Sequence, residues 1–148
     1  MTIFVDADAC PVKAEVERVG TRHKVPMKIV SNGGIRPSQN PLVDTIMVDA
    51  GPDVADKWIA ERAAAGDIVI TNDIPLAAKC VAAGAQVLRH DGDALTENNV
   101  GQALAMRDLM TDMRAADPFL QGRNKGFTKA DRSRFLDALE RAVRKARA

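Results

Sequence analysis

Residues 68–80 of this 148-residue chain read IVITNDIPLAAKC. The first three residues form an uninterrupted apolar run, which predicts a short buried strand over residues 68–70. Pro75 suits the first turn of a helix, and we expect this helix to run to about Ala83, with Gly84 at its C-terminal cap. A buried strand that passes directly into a helix is typical of a parallel sheet covered by helices.

The same alternation of strand and helix continues on both sides of this stretch. Four further strands are predicted, over residues 3–5, 27–30, 45–48 and 86–88. Other helices are predicted to begin at Pro11 and Thr128 and to span residues 53–65 and 97–115, and Thr128 forms a capping box with Asp131. We therefore predict one α/β domain over residues 1–148. It is a three-layer sandwich in which a mostly parallel sheet of about five strands has helices on both faces.

Composition argues against several classes of protein. No run of about 18 apolar residues is present and Asp6 interrupts any signal-like N-terminal stretch, so we expect a cytoplasmic protein with no membrane partner. Cys10 and Cys80 stand apart without a Cys or His cluster, which argues against zinc and against a disulfide framework. Aromatic residues make up only 3% of the chain, so a base-stacking surface is not expected.

The net charge of +1 hides an uneven distribution. Residues 119–148 hold nine Lys and Arg against three Asp and Glu, whereas residues 1–118 hold 12 against 17. A basic C-terminal helical segment beside an acidic body is typical of a polyanion-binding arm next to a carboxylate site, and equally of a solvated Arg-rich helix. Met106, Leu109, Met110 and Met113 share one helical face. That face either packs into the core or meets a second copy of the chain, so a homodimer stays open.

Acidic or small polar side chains follow every predicted strand. They are Asp6 and Asp8, Ser31 and Asn32, Asp49, Asp53 and Asp56, Thr71, Asn72 and Asp73, and finally His90, Asp91 and Asp93. Because ligands in open α/β sheets bind beyond the carboxyl ends of the strands, we expect these side chains to share one edge. Converging carboxylates repel one another, and a hard divalent cation relieves that repulsion. Ligands that are all oxygen favour Mg²⁺ or Mn²⁺ over zinc.

Several of these residues also have a purely structural explanation. Asp73 suits the N-cap of the helix after it, and Asp53 and Asp56 complement a helix dipole. Asn32 precedes two glycines, as turn-forming residues do, and Asp91 precedes a glycine in what reads as a tight turn. The convergence of the acids, more than any single one, therefore indicates a metal site.

Three motifs resemble, in order, those of the YaiI/YqxD family of small bacterial proteins. They are VDADACPVK at residues 5–13, IVITNDIPLAAKC at residues 68–80 and GRNKGFTKADRSRFLDAL at residues 122–139. The resemblance covers nearly the whole chain. That family in turn resembles the PIN-like nuclease superfamily, and residues 53–89 read like the central part of a PIN domain. The resemblance implies a PIN-like fold that cleaves RNA or DNA with Mg²⁺ or Mn²⁺ on clustered acids.

Carried over by position, the resemblance implies specific roles for the acids. The implied metal ligands are Asp6, Asp73, Asp56 or Asp53 as the helical acid, and Asp91 or Asp93 as the last one. Thr71 would support Asp73 through its hydroxyl. Asp8 would bind a second ion or orient the attacking water, so Asp6, Asp8 and Asp73 form the expected catalytic set.

The remaining expected contacts are with nucleic acid, RNA before DNA. Basic residues of the loop 31–41 and of the C-terminal segment would hold the phosphate backbone: Arg36, Arg123, Lys125, Arg132 and Arg134. Polar residues at the strand ends complete the expected substrate-binding set: Ser31, Asn32, Thr71 and Asn72.

Two other functions stay open. The Asp-x-Asp after the first strand, with Ser31 ending the second, also resembles haloacid-dehalogenase-type phosphatases, in which Asp6 would be the nucleophile and Asp8 the general acid and base. Cys10 in place of the usual Thr or Val argues against that resemblance, as does the lack of paired acids after a later strand. A PIN-like domain that binds RNA or a nucleotide without cutting it would carry the same acids as a nuclease.

Overall fold

In the computed structural model the described residues are 1–8, 10–51, 53–116 and 127–148, and they form a six-stranded sheet and five helices. The strands are β1 (Ile3–Asp6), β2 (Met27–Ser31), β3 (Val43–Met47), β4 (Ile68–Ile70), β5 (Gln86–Leu88) and β6 (Ala94–Leu95). The helices are α1 (Lys13–Arg22), α2 (Val54–Arg62), α3 (Ile74–Ala82), α4 (Val100–Ala116) and α5 (Lys129–Arg147).

The strand order in the sheet is β3-β2-β1-β4-β5-β6. The first five strands pair in parallel, and β6 pairs antiparallel with β5. The predicted mostly parallel α/β sandwich is confirmed. The sixth strand was not predicted, because Ala94–Leu95 is only two residues long and gives no apolar run. Strand β1 lies at the centre, between β2 and β4.

Each face of the sheet carries its own hydrophobic core. Ile3 and Val5 of β1 belong to the core shared with α1 and α5, whereas Phe4 belongs to the core shared with α2 and α3. This alternation is the two-residue period of a strand that is buried on both faces. The core shared with α1 and α5 contains fully buried apolar residues at the N-cap of α1 and along both helices: Val12, Val16, Val19, Phe135, Leu139 and Val143.

Several helix boundaries differ from the prediction. Helix α2 begins at Val54 because Asp53 adopts a left-handed conformation, with φ 65°. Helix α4 begins at Val100, three residues later than expected, because the Asn99 side chain accepts a hydrogen bond from the Thr96 amide in a preceding turn. At α5 the capping box is confirmed, with the Thr128 hydroxyl accepting from the Asp131 amide at 3.1 Å.

One face of α4 remains uncovered by other described residues. Met106, Leu109 and Met110 have exposed fractions of 54%, 52% and 36%. Ala103 and Leu104 pack against the core beneath α3 instead. The side chain of Met113 lies outside the described residues. Of the helices described, none is both long and apolar enough to cross a membrane.

Candidate functional site

A cavity of about 430 Å³ lies at the carboxyl ends of the parallel strands. Strand β2 lies beside β1 on one side, and β4 lies beside β1 on the other side. The strand order therefore reverses between β1 and β4, and such a switch point is where open α/β sheets bind ligands. The cavity is lined by Asp6, Asp8, Asn32, Gly51, Asp53, Ala55, Asp56, Asn72, Asp73 and His90. Five of these are acids, and no Lys or Arg of the described residues lines the cavity.

Thr71 connects the acids of the two central strands. Its hydroxyl donates to Oδ2 of Asp6 at 3.0 Å and accepts from the backbone N–H of Asp73 at 2.9 Å. The side chain is completely buried, so substrate cannot reach it. Thr71 therefore positions two acids, and its expected role as a substrate-binding residue is wrong.

Asp73 has a structural role and also lines the cavity. Its Oδ1 accepts a hydrogen bond from the Leu76 amide at 2.9 Å, so it is the N-cap of α3. Its carboxyl group also shares a hydrogen bond with that of Asp56, on the first turn of α2. The structural and the functional explanation of Asp73 therefore apply to the same side chain.

The surroundings of Asp56 favour the protonated form of its carboxyl group. Burial, then the hydrogen bond with Asp73 and the charges of Asp73, Asp6 and Asp53, raise the pKa of Asp56 to about 7. Burial also raises the pKa of Asp6, although the hydrogen bond from Thr71 lowers it. Burial and repulsion between neighbouring carboxylates both favour the neutral form of a carboxyl group.

Asp53 reaches the cavity through an unusual backbone conformation. It occupies the N-cap position of α2, but with φ 65° its side chain makes no capping hydrogen bond. A non-glycine residue in this conformation costs free energy that surrounding structure must supply. Asp53 therefore does not cap α2 through its side chain, and its carboxylate is exposed at the cavity wall.

His90 lines the cavity, as expected from its place after a strand, although no catalytic, metal-binding or substrate-binding role was predicted for it. It is 6% exposed, and its Nε2 is buried without a hydrogen-bond partner among the described residues. Burial lowers the pKa of this imidazole, so the ring is neutral at neutral pH. Asn72 Oδ1 accepts from the His90 amide at 2.9 Å and fixes its turn against the end of β4. The available signal was position, because His90 follows β5 by two residues.

Two other expected residues are turned away from the cavity. The Ser31 hydroxyl donates to the Gly33 carbonyl at 2.9 Å and accepts from the Gly33 amide, and the residue is 1% exposed. Asp91 accepts from the Asp93 amide in an exposed turn and does not line the cavity. Both therefore act as turn residues here, and neither is brought to the acids.

The basic residues are dispersed. Arg36 lines a second cavity described below. Arg132 donates to Glu15 at 2.5 Å and to the Pro11 carbonyl at 3.1 Å, while its guanidinium lies 5.1 Å from the Phe127 ring centroid. Arg134 pairs with Asp131 on its own helix. Arg123 and Lys125 lie outside the described residues. Arg132 and Arg134 are thus engaged within the protein and do not line the acid cavity.

The donor atoms of the acid cavity are of the kind that binds a divalent cation, but its described side chains do not yet form a complete set of metal ligands. Its donors are carboxylate and amide oxygens, which Mg²⁺ and Mn²⁺ prefer. Within residues 1–8, 10–51, 53–116 and 127–148, no three acidic, His or Cys side chains already stand close enough to hold a metal ion together. A cation would relieve the repulsion from Asp73, Asp6 and Asp53 that helps raise the pKa of Asp56.

Comparison with known proteins identifies the family. The family model described as "Uncharacterized BCR, YaiI/YqxD family" matches residues 4–145. UPF0178 proteins of Roseobacter denitrificans and Ruegeria pomeroyi are each 69% identical, over 97% and 98% of this chain and 95% of each relative. A UPF0178 protein of Parvibaculum lavamentivorans is 54% identical over 98% of this chain and 95% of its own length. No solved structure matches the chain. The chain belongs to the YaiI/YqxD family.

Proposed function

We propose that this protein hydrolyses phosphodiester bonds of a nucleic acid, RNA or DNA, using Mg²⁺ or Mn²⁺ bound in the acid cavity. The observation that carries the proposal is the convergence of five aspartates, Asp56 and Asp73 among them, on one cavity at the switch point of the sheet. Asp6, Asp8 and Asp53 line the same cavity, with no described Lys or Arg among them. Such a cavity suits cations and repels a polyanion until a cation is bound.

The number of carboxyl groups in the cavity is sufficient to bind Mg²⁺ together with a substrate phosphate. Mg²⁺ is commonly held by one or two carboxylates together with phosphate oxygens of the substrate, rather than by a complete cage of protein ligands. Asp56 and Asp73 would supply the two carboxylates, and Asp6 lies near enough for its charge to act on Asp56. A bound divalent ion activates water and neutralises charge that develops on the phosphate.

The other side chains of the cavity have roles that follow from their contacts. Thr71 holds Asp6 in one orientation, so this carboxylate is preorganised. Asp8 is exposed and suits orientation of the attacking water and acceptance of its proton. Asn32 and Asn72 are exposed amides at the cavity wall, where they can donate to phosphate oxygens. Asn32 and Asn72 thus remain predicted substrate contacts.

The test combines metal binding with cleavage. Mn²⁺ is titrated by calorimetry into wild type, Asp73→Asn and Asp6→Asn protein, and the same proteins are incubated with end-labelled single-stranded RNA and DNA. Asp44→Asn is the matched control, because Asp44 is an exposed carboxylate on β3 that pairs with Lys28. We expect both site variants to lose cleavage by about 100-fold or more, with the control unchanged.

Each alternative function has its own outcome. Salt-sensitive RNA binding without metal-dependent products in the wild type would replace the nuclease by a non-catalytic binding module. Turnover of a small phosphate monoester, with a trapped aspartyl phosphate on Asp6, would replace it by a phosphatase. Equal cleavage by wild type and Asp73→Asn protein would exclude the acid cavity as the site of reaction.

A further inference from the structure

A second cavity, of about 340 Å³, lies beside α1 and the loop that follows β2. Its walls include Ile29 of β2 and Thr45 of β3, which are register partners in the sheet. Ile29 belongs to the core beneath α1 and α5, so the cavity opens on that face of the sheet. Lys13 and Glu17 of α1 form one side, and Ile35 and Arg36 of the loop form the other.

The second cavity contains two cations that are not paired with a carboxylate of the described residues. Within the described part of the chain, neither Lys13 nor Arg36 has a hydrogen-bond or ion-pair partner. Lys28 and Arg132, by contrast, have carboxylate partners in Asp44 and Glu15. Two unpaired cations facing one concave space favour the binding of an anion.

The acid in this cavity is already engaged. Glu17 Oε1 accepts a hydrogen bond from the Ser38 hydroxyl at 2.6 Å, which ties α1 to the far end of the loop. The formal charge of the ionisable lining residues is still positive, with Lys13 and Arg36 against Glu17. This cavity is therefore opposite in sign to the acid cavity, which five aspartates line.

The remaining walls suit the non-phosphate part of a nucleotide. Ile29 and Ile35 supply apolar surface, and Thr45 supplies a half-buried hydroxyl. A volume of about 340 Å³ lies at the lower end of the range of small-molecule pockets, which begins near 300 Å³. The space accommodates one nucleotide rather than a large cofactor.

Two loops connect the second cavity with the acid cavity. The segment after β1 places Asp8 in the acid cavity and, five residues later, Lys13 in the second cavity. The loop after β2 places Asn32 in the acid cavity and Gly34 in the second. A nucleic-acid strand that follows these loops out of the acid cavity would therefore reach Lys13 and Arg36 next.

We propose that the second cavity binds one nucleotide of a nucleic-acid strand, with its phosphate on Lys13 and Arg36 and its apolar face on Ile29 and Ile35. The proposal rests on the proposed function and names the subsite that anchors the strand beside the bond to be cut. It explains how a polyanion is held next to a cavity lined by five acids, because attraction at the cations offsets repulsion at the aspartates.

The test measures binding without cleavage. A labelled single-stranded oligonucleotide is titrated by fluorescence anisotropy in EDTA, between about 50 and 200 mM salt, into wild type, Lys13→Gln, Arg36→Gln and the double variant. Lys28→Gln is the matched control, because Lys28 is a cation of β2 that is already paired with Asp44. Thermal unfolding of each variant checks that the fold is retained.

We expect each single variant to weaken binding several-fold. In the double variant the magnitude of the slope of log K against log salt should fall by about 0.7, the value for one neutralised phosphate. The control should keep the affinity and slope of the wild type. Unchanged affinity and slope in the double variant would overturn the proposal. Adenosine 5′-monophosphate that binds wild type as tightly as the oligonucleotide does, and loses affinity in the double variant, would overturn the strand assignment in favour of a free nucleotide.

The two proposals fail separately. Oligonucleotide binding that depends on Lys13 and Arg36, in a protein that never cleaves with Mn²⁺, supports the subsite and refutes the nuclease. Metal-dependent cleavage that is equally efficient, with the same KM, in wild type and the double variant supports the nuclease and refutes the subsite.

Discussion

The buried hydroxyl of Thr71 donates a 3.0 Å hydrogen bond to the carboxylate of Asp6, 65 residues away in sequence. The same oxygen accepts from the Asp73 amide. One side chain therefore fixes the relative positions of an acid at the end of β1 and an acid at the start of α3. The arrangement depends on the pairing of β1 with β4, which brings Val5 opposite Ile70.

Replacement of Thr71 tests this relationship. Thr71→Val keeps the shape but removes the hydroxyl, which leaves the Asp6 carboxylate and the Asp73 amide each without one partner. We expect the free energy of unfolding, measured by urea denaturation, to fall by about 1–3 kcal/mol. Thr71→Ser restores the hydroxyl and should recover most of the loss. Equal stability of the Val and Ser variants would contradict the role given to this hydroxyl.

Two substitutions of Asp73 separate its cap from its charge. Asp73→Asn keeps an oxygen that can accept from the Leu76 amide, whereas Asp73→Ala removes the cap at a cost of about 1 kcal/mol. We expect calorimetry to show Mn²⁺ affinity lost in both variants, and urea denaturation to show destabilisation in the Ala variant alone. Strong Mn²⁺ binding by the Asn variant would mean that the carboxylate is dispensable for the metal.

The stability of the metal-free protein should depend on the protonation of Asp56. The ordinary pKa of an Asp carboxyl group is 3.8, and in the folded protein burial and Asp73 raise the pKa of Asp56 to about 7. Between these two pH values Asp56 is protonated to a greater extent in the folded protein than in the unfolded chain. The free energy of unfolding therefore falls as pH rises towards about 7. Asp6, whose pKa is also raised, acts in the same direction. His90 acts in the opposite direction below 6.5, because burial lowers its pKa.

The comparison that isolates Asp56 is between wild type and Asp56→Asn. Urea denaturation in EDTA at several pH values from about 5 to about 8 gives the difference in unfolding free energy. We expect the Asn variant to gain stability relative to wild type as pH rises through this interval. Parallel curves for the two proteins would show that Asp56 holds no extra proton in the folded state.

Arg132 and Arg134 should affect stability unequally. Arg132 neutralises Glu15, whose side chain is 13% exposed, and holds the Pro11 carbonyl. We expect Arg132→Met to cost about 1–2 kcal/mol, less than the 3–5 kcal/mol of a fully buried pair, because Arg132 is itself 41% exposed. Arg134→Met is the control and should change stability by about 0.5 kcal/mol or less, since Arg134 is 61% exposed. Urea denaturation distinguishes these outcomes. A loss of oligonucleotide affinity without a loss of stability in Arg132→Met protein would instead restore the phosphate-binding role expected of Arg132.

Much of the fold was predictable because short apolar runs and helix caps are local signals. The run at residues 68–70 and the box formed by Thr128 and Asp131 were both located from a few neighbouring residues. Strand β6, which was not predicted, and the start of α4 at Val100 have no such local signal. They depend on pairing with β5 and on a turn closed by Asn99, which sequence periodicity does not show.

The candidate site was predictable in outline and not in detail. That acids gather beyond the strand ends follows from parallel topology, and Asp6, Asp8, Asp53, Asp56 and Asp73 do line one cavity. Which polar residues turn inward is a matter of individual hydrogen bonds. Ser31 closes a turn on Gly33, whereas the buried His90 reaches the cavity wall. Neither outcome can be obtained from spacing, because both depend on side-chain partners.

The strand order divides the sheet along a seam. Strands β1, β2 and β3 come from the first 47 residues, and β4, β5 and β6 come from residues 68–95. The two groups pair along β1 and β4, where three residues of each strand are in register. A ligand bound by both Asp6 and Asp73 would span this seam and stabilise the pairing of the two halves of the sheet. Amides of β1 and β4 should then exchange with deuterium more slowly when Mn²⁺ is bound, while those on the exposed turns of α4 keep their rates.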